Sequence, residues 1–195
     1  MKKNAAVLAG YYGFGNAGDE LILASLIEQI RRESPLCQIT VFSRNPVETQ
    51  KRFTVRSVDR WQPWAWVIPM MTSRRFILGG GGLLQETSGP WNYVYYLGLV
   101  VLAKLLGCRT ELRAMGVDPV KYGMNRLITR VVFNYFVDWV SVRDSDSQRA
   151  LEAAGVRRSI LRSSDPVFQL TLPPAVPPSA ERLAIAAGPW KKRPG

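Results

Sequence analysis

Apolar runs of strand length recur at residues 5–10, 38–42, 74–80, 109–116 and 138–144, and between them apolar residues return every three or four positions. Unbroken apolar runs suit strands buried on both faces. Their alternation with helical patterns predicts an α/β fold, a Rossmann-like open parallel sheet with helices on both faces. Helices are expected over 19–32, 47–52, 93–106, 125–136 and 145–154, the last stopped by Gly155. The first of these puts apolar residues on one face and charges on the other, as a helix laid on a sheet does. A further short strand is expected over 160–165.

The rhythm stops after residue 170. Four prolines in TLPPAVPPSAER prevent regular structure and read as a linker. The expected organisation is a Rossmann-like domain over 1–170, a proline-rich linker over 171–180 and, over 181–195, the first strand of a second domain that the chain does not complete.

Composition narrows the picture. With 195 residues and 47% hydrophobic content the chain can bury one substantial core. Its formal charge of +11 favours anionic partners, whether nucleic acid, anionic lipid or a phosphorylated substrate. Lysines and arginines are dispersed and no nucleic-acid motif accompanies them, so nucleic acid is not expected as a partner. Cys37 and Cys108 read as reduced core thiols of a cytoplasmic protein, and neither a disulfide nor a metal site is expected. The longest apolar stretch, 91–107, is broken by Gly98 and Lys104 and falls short of the roughly 20 clean residues that span a bilayer. Trp61, Trp64 and Trp66, with basic neighbours, suit a membrane interface or a sugar, partial core packing being the simpler outcome. The chain has no histidine, so histidine acid–base chemistry would have to come from elsewhere.

Three segments carry candidate chemistry. Gly13, Gly15 and Gly18 have the G-x-G-x-x-G spacing of a dinucleotide turn between a strand and a helix, yet Asp19 and Glu20 crowd the place where a pyrophosphate wants bare N–H groups. A second glycine run, Gly79, Gly80, Gly81 and Gly82, also follows a strand and is expected as an open loop with accessible backbone, tight packing of the loop against a helix being the competing expectation. In SVRDSDSQ, Arg143 ends a strand beside a helix N-terminus, well placed to grip a carboxylate or phosphate, while Asp144 or Ser145 suits the helix cap. Salt bridges of Arg143 with Asp144 or Asp165 are the competing expectation. Asp165 precedes Pro166 and points to the same rim, or simply forms a turn. Strand carboxyl ends gather these segments at one crevice.

Together, GYYGFGNAGDELIL, LGGGGLLQETS, SVRDSDSQRALEAAGV and DPVF resemble, in this order, the N-terminal half of the polysaccharide pyruvyl transferase family, most closely its CsaB-type members. That resemblance implies the first half of a GT-B-like pair of Rossmann-like domains around a cleft. It implies transfer of pyruvate from phosphoenolpyruvate, as donor substrate with no cofactor, to a cell-wall or exopolysaccharide sugar as a ketal. The same resemblance implies a lipid-linked acceptor, with peripheral contact at the inner face of the membrane. Arg143, Asp19 and Glu20 are then the catalytic candidates, and Gly15, Asn16, Gly18, Gly79, Gly80, Gly81, Gly82, Gln85, Asp144 and Asp165 the substrate-binding ones. The family draws further basic and histidine groups from its second domain, so little turnover is expected from this chain alone. Two alternatives stay open: an NAD(P)-binding domain, with Arg44 meeting a 2′-phosphate, and a basic non-enzymatic binding domain.

Overall fold

The computed structural model describes residues 2–85 and 90–171. Seven parallel strands form one sheet in the order β3-β2-β1-β4-β5-β6-β7. In chain order the elements are β1 (Lys3–Ala9), α1 (Ala17–Glu33), β2 (Gln38–Ser43), α2 (Pro46–Phe53), β3 (Arg56–Asp59), α3 (Trp64–Thr72) and β4 (Ser73–Leu84). There follow α4 (Pro90–Leu105), β5 (Arg109–Val117), α5 (Gly123–Tyr135), β6 (Trp139–Val142), α6 (Ser145–Ala153), β7 (Leu161–Arg162) and a short 3-10 turn, Pro166–Gln169.

Strand β1 lies inside the sheet with β2 on one side and the central β4 on the other: Val7 pairs with Thr40 and with Phe76. The chain runs outward from β1 to β3, then crosses back to β4 and runs outward the other way. The carboxyl ends of β1 and β4 therefore flank the switch point where open α/β sheets form a crevice.

Side chains alternate across the sheet as the pleat requires. Ala6, Leu8, Ile39, Val41 and Ile77 pack against Leu23, Leu26 and Ile30 of α1. Val7, Ala9, Phe42, Phe76 and Leu78 pack on the other face, against Tyr96 and Val100 of α4, with Val132 and Phe133 of α5 in the same core. Local signals fix the helix ends. The Asn16 side chain accepts from Gly18 N–H to cap α1, acids occupy its first turn and arginines its last. Asn45 caps α2, which has proline in its first turn. Gly155, at φ 91°, takes the left-handed conformation that stops the helix before it.

Each expected helix forms, with no end moved by more than three residues. Two elements were not expected. The 61–71 segment contains α3, apolar on every side and carrying Pro69 inside it, so no 3.6-residue period marks it. The edge strand β3 is only four residues long. Two expected strands are shorter than the sequence suggests, β6 and β7. The glycine run departs most: Gly79–Gly82 is not an open loop but lies inside β4, with a register shift against β5 between Gly81 and Leu84.

Cys108 is buried as expected, whereas Cys37 is half-exposed ahead of β2. Trp66 packs on the core beside Phe42, while Trp61 and Trp64 stay exposed. Among the described residues no helix is long and apolar enough to cross a membrane. The expected linker from residue 172 onward and the second-domain strand lie outside the described residues.

Candidate functional site

A cavity of about 770 Å³ opens at the switch point. Its walls are the start of α1 (Asn16, Gly18, Asp19, Ile22), the end of β4 with Gln85, Asn92 of α4, Arg143 after β6, and the 3-10 turn with Asp165 and Phe168. Tyr11 stands at its rim.

The glycines work mainly by admitting neighbours. A Cβ at Gly79 would stand 2.2 Å from Leu26 Cδ1 and 2.5 Å from the Tyr12 hydroxyl, and one at Gly80 would stand 2.6 Å from Ile22 Cγ2. The run thus lets α1 close directly on the end of β4, which corrects the expectation of freely accessible backbone at Gly79 and Gly80: both are buried and neither lines the cavity. The buried Tyr12 hydroxyl donates to the Gly79 carbonyl at 3.2 Å and ties the first glycine turn to the second segment. Gly81 and Gly82 do reach the cavity. At Gly81, φ is 77° and a Cβ would lie 2.9 Å from Asp19 Oδ1, so the carboxylate rests where a side chain would be.

The two acids of α1 diverge. Glu20 is 5% exposed and its Oε1 accepts from Gly13 N–H at 2.7 Å, which braces the turn at a residue with φ 78°. It does not line the cavity. Asp19 does, and burial together with the neighbouring Glu20 raises its pKa above the ordinary carboxylate value, against an opposing pull from Arg143. A carboxyl poised in this way holds a proton more readily than an exposed aspartate. Asn16 and Gly18 line the cavity and also cap α1, whereas Gly15, at φ 76°, faces open space outside it.

Arg143 is the cation among the described residues that line the cavity. Its Nε lies 3.5 Å from Asp144 Oδ2 and its Nη1 3.6 Å from Asp165 Oδ2. Both expected salt bridges form, but at distances longer than a close charge-assisted hydrogen bond, so the guanidinium keeps donor capacity for a ligand. Each aspartate also has a backbone duty. Asp144 Oδ1 accepts from Ser147 N–H at 2.7 Å, capping α6, and lies outside the cavity wall. Burial pushes its pKa up, but the Ser147 hydrogen bonds and Arg143 outweigh that and hold it below the usual value. Asp165 Oδ1 accepts from Val167 N–H at 3.1 Å and starts the 3-10 turn, which Ser25 of α1 holds through the Pro166 carbonyl.

Sequence reasoning missed several contributors. Gly116 of β5 leaves the room that Arg143 occupies, with a would-be Cβ 2.9 Å from the guanidinium carbon. Its place at the end of an expected strand was the available signal. Tyr11 and Phe14 stack with centroids 4.0 Å apart and planes 4° apart at the cavity rim. Beneath them Arg60, 2% exposed, donates to the Gly10 carbonyl at 3.0 Å and the Tyr96 hydroxyl at 3.2 Å, with its guanidinium carbon 5.1 Å from the Phe14 ring centre.

Against this geometry, the family model for polysaccharide pyruvyl transferase matches residues 16–194. The chain belongs to the polysaccharide pyruvyl transferase family. A comparison with curated proteins returns no match. Membership in the pyruvyl transferase family places the chain among transferases that act on saccharide acceptors. Arg44, the expected 2′-phosphate partner, lends its backbone N–H to the Tyr12 carbonyl at 3.0 Å.

Proposed function

We propose that the cavity binds phosphoenolpyruvate against Arg143 and transfers its pyruvate to two hydroxyls of one sugar as a ketal. The observation that carries this reading is a guanidinium loosely held by two aspartates, facing a raised-pKa carboxyl across a 770 Å³ cavity.

The chemistry assigns the roles. A proton delivered by the Asp19 carboxyl to the donor's methylene carbon makes C2 cationic, and a sugar hydroxyl adds there, its proton passing back to the Asp19 carboxylate. The bond from C2 to the phosphate oxygen then breaks with its electron pair leaving on phosphate. A second hydroxyl closes the ketal and gives up its proton. Arg143 would hold the donor carboxylate or the departing phosphate, where charge grows. Asp19 would take the hydroxyl proton, and Asn16 and Gln85 would contact sugar hydroxyls. The Tyr11–Phe14 stack offers an apolar platform on which a sugar ring can lie. Asp144 and Glu20 support the site through backbone contacts rather than touching substrate. A lipid-linked cell-wall or exopolysaccharide precursor would be the acceptor, met at a membrane surface.

One arginine beside Asp19, Asp144 and Asp165 does not neutralise phosphoenolpyruvate, so the binding expected from these residues is weak. The test is therefore a millimolar titration followed by heteronuclear NMR. Shifts confined to Asn16, Gly81, Gln85 and Arg143, and lost in Arg143→Ala, are the expected result. Shifts that survive in Arg143→Ala, or none at all, would overturn the assignment.

A further inference from the structure

Helix α3 turns an apolar stripe outward. Trp64, Ile68 and Met71, spaced i, i+4 and i+7, are each more than half exposed, with Trp64 at 72% and Ile68 at 71%. Met70 and Trp66, on the opposite side, are the residues that pack on the core. Single exposed apolar residues are ordinary; a helical stripe that no described residue covers is not.

The same layer continues the character. Trp66 of α3 meets Tyr95 of α4 edge-on at 5.8 Å, and the Tyr93 hydroxyl of α4 lies 2.5 Å from Thr129 Oγ1 of α5. On α5, Met124, Leu127 and Tyr135 are again exposed. Across the full sequences of α3, α4 and α5 there is no aspartate or glutamate.

Charge decides what covers this face. Beside α3 runs a groove of about 360 Å³, walled by Ile68, Pro69 and Thr72 on one side and by the exposed Lys3 and Arg56 on the other, with no acid among its lining residues. Lys3 and Arg56 line this groove together with α3, and the exposed Arg74 alternates in phase with Phe76, which packs in the same core as Met70 of α3. A second copy packed here would bring these cations against themselves. An anionic lipid surface answers both features at once, taking the apolar stripe among its acyl chains and its headgroups against Lys3, Arg56 and Arg74.

We infer that the α3 face is a membrane-docking surface selective for anionic lipid. It rests on the pyruvyl-transfer reading only for its purpose, holding the protein at the surface where a lipid-anchored acceptor would reside.

Co-sedimentation of the chain with vesicles of phosphatidylcholine alone, or mixed with phosphatidylglycerol, tests it. Two double variants, Ile68→Ser with Met71→Ser and Lys3→Glu with Arg56→Glu, change exposed side chains, and thermal melts by circular dichroism confirm that they fold. The chain should bind the phosphatidylglycerol vesicles about tenfold or more tighter than phosphatidylcholine, and each double variant should lose about that factor. No binding to phosphatidylglycerol vesicles overturns the inference, as does binding that either double variant retains. A dimer in solution that the serine variant dissociates, without vesicle binding, would assign the face to self-association instead. Arg143→Ala should leave vesicle binding intact, so failure here and failure of the donor site read out separately.

Discussion

Gly116 lies directly beneath Arg143: a Cβ there would stand 2.9 Å from the guanidinium carbon and from two of its nitrogens. The pair links two strands that the sequence keeps 27 positions apart. Gly116→Ala should therefore push the guanidinium off its place between Asp144 and Asp165 while leaving the fold intact, since the obstructed group is the mobile end of a long side chain. We expect donor affinity to fall by about threefold to tenfold, the worth of a weakened charge-assisted contact, with the melting temperature nearly unchanged. Titration with phosphoenolpyruvate alongside a thermal melt checks both halves, and unchanged affinity would mean that Arg143 does not hold the donor.

The glycines separate by what their neighbours tolerate. Gly79→Ala meets Leu26 and the Tyr12 hydroxyl in the packed interior and should cost about 1–3 kcal/mol through overpacking. Gly15→Ala meets no atom within 4 Å, so its cost comes from φ 76° alone, about 1–2 kcal/mol. Replacing Gly15 by asparagine, which accepts the left-handed region better, should recover part of that loss, whereas Gly79→Asn should be worse than Gly79→Ala. Urea denaturation of the four variants distinguishes strain from overpacking.

Much of this was legible in the chain. Unbroken apolar runs gave the strands away, the glycine stop at Gly155 marked a helix end, and Arg143 stood out by ending a strand beside a helix start. What stayed hidden depends on contacts between segments distant in sequence. Periodicity cannot show that Gly79 and Gly80 sit under Leu26 and Ile22, so the run read as a loop. Nor can it show that Gly116 makes room for Arg143, which needs the register of β5 against β6. Helix α3 was missed for the opposite reason: a segment apolar on both its core and outer sides has no period to detect.

Asp19 should trade stability for function. Burial and Glu20 raise its folded-state pKa above the unfolded value, so the folded protein holds that proton more tightly than the unfolded chain does. The cost of ionising Asp19 is absent below the ordinary carboxylate range, grows as pH rises toward the folded pKa and is complete above it. Asp19→Asn removes an ionisable carboxyl and should raise the melting temperature at neutral pH, with the gain fading as pH falls through the carboxylate range. The same variant should be inactive in pyruvyl transfer by a protein that contains both domains. A variant that is destabilised at neutral pH, or stabilised equally at all pH values, would contradict this account of Asp19.

Glu20 supplies the sharpest separation between bracing and chemistry, because it neighbours Asp19 in sequence yet spends its carboxylate on Gly13 N–H at 2.7 Å. Glu20→Ala leaves that part-buried donor without its carboxylate partner and should cost about 1–3 kcal/mol. Glu20→Gln still presents an oxygen to Gly13 and should recover most of the loss. If Glu20 acted as the catalytic base, the order for turnover would differ: glutamine, unable to take a proton, would be as dead as alanine. We expect Glu20→Gln to keep most transfer activity and most stability, while Asp19→Asn keeps stability and loses activity. Parallel melts and phosphate-release assays on the two amide variants, in a protein that carries both domains, therefore assign the proton-transfer role to one of two adjacent carboxylates.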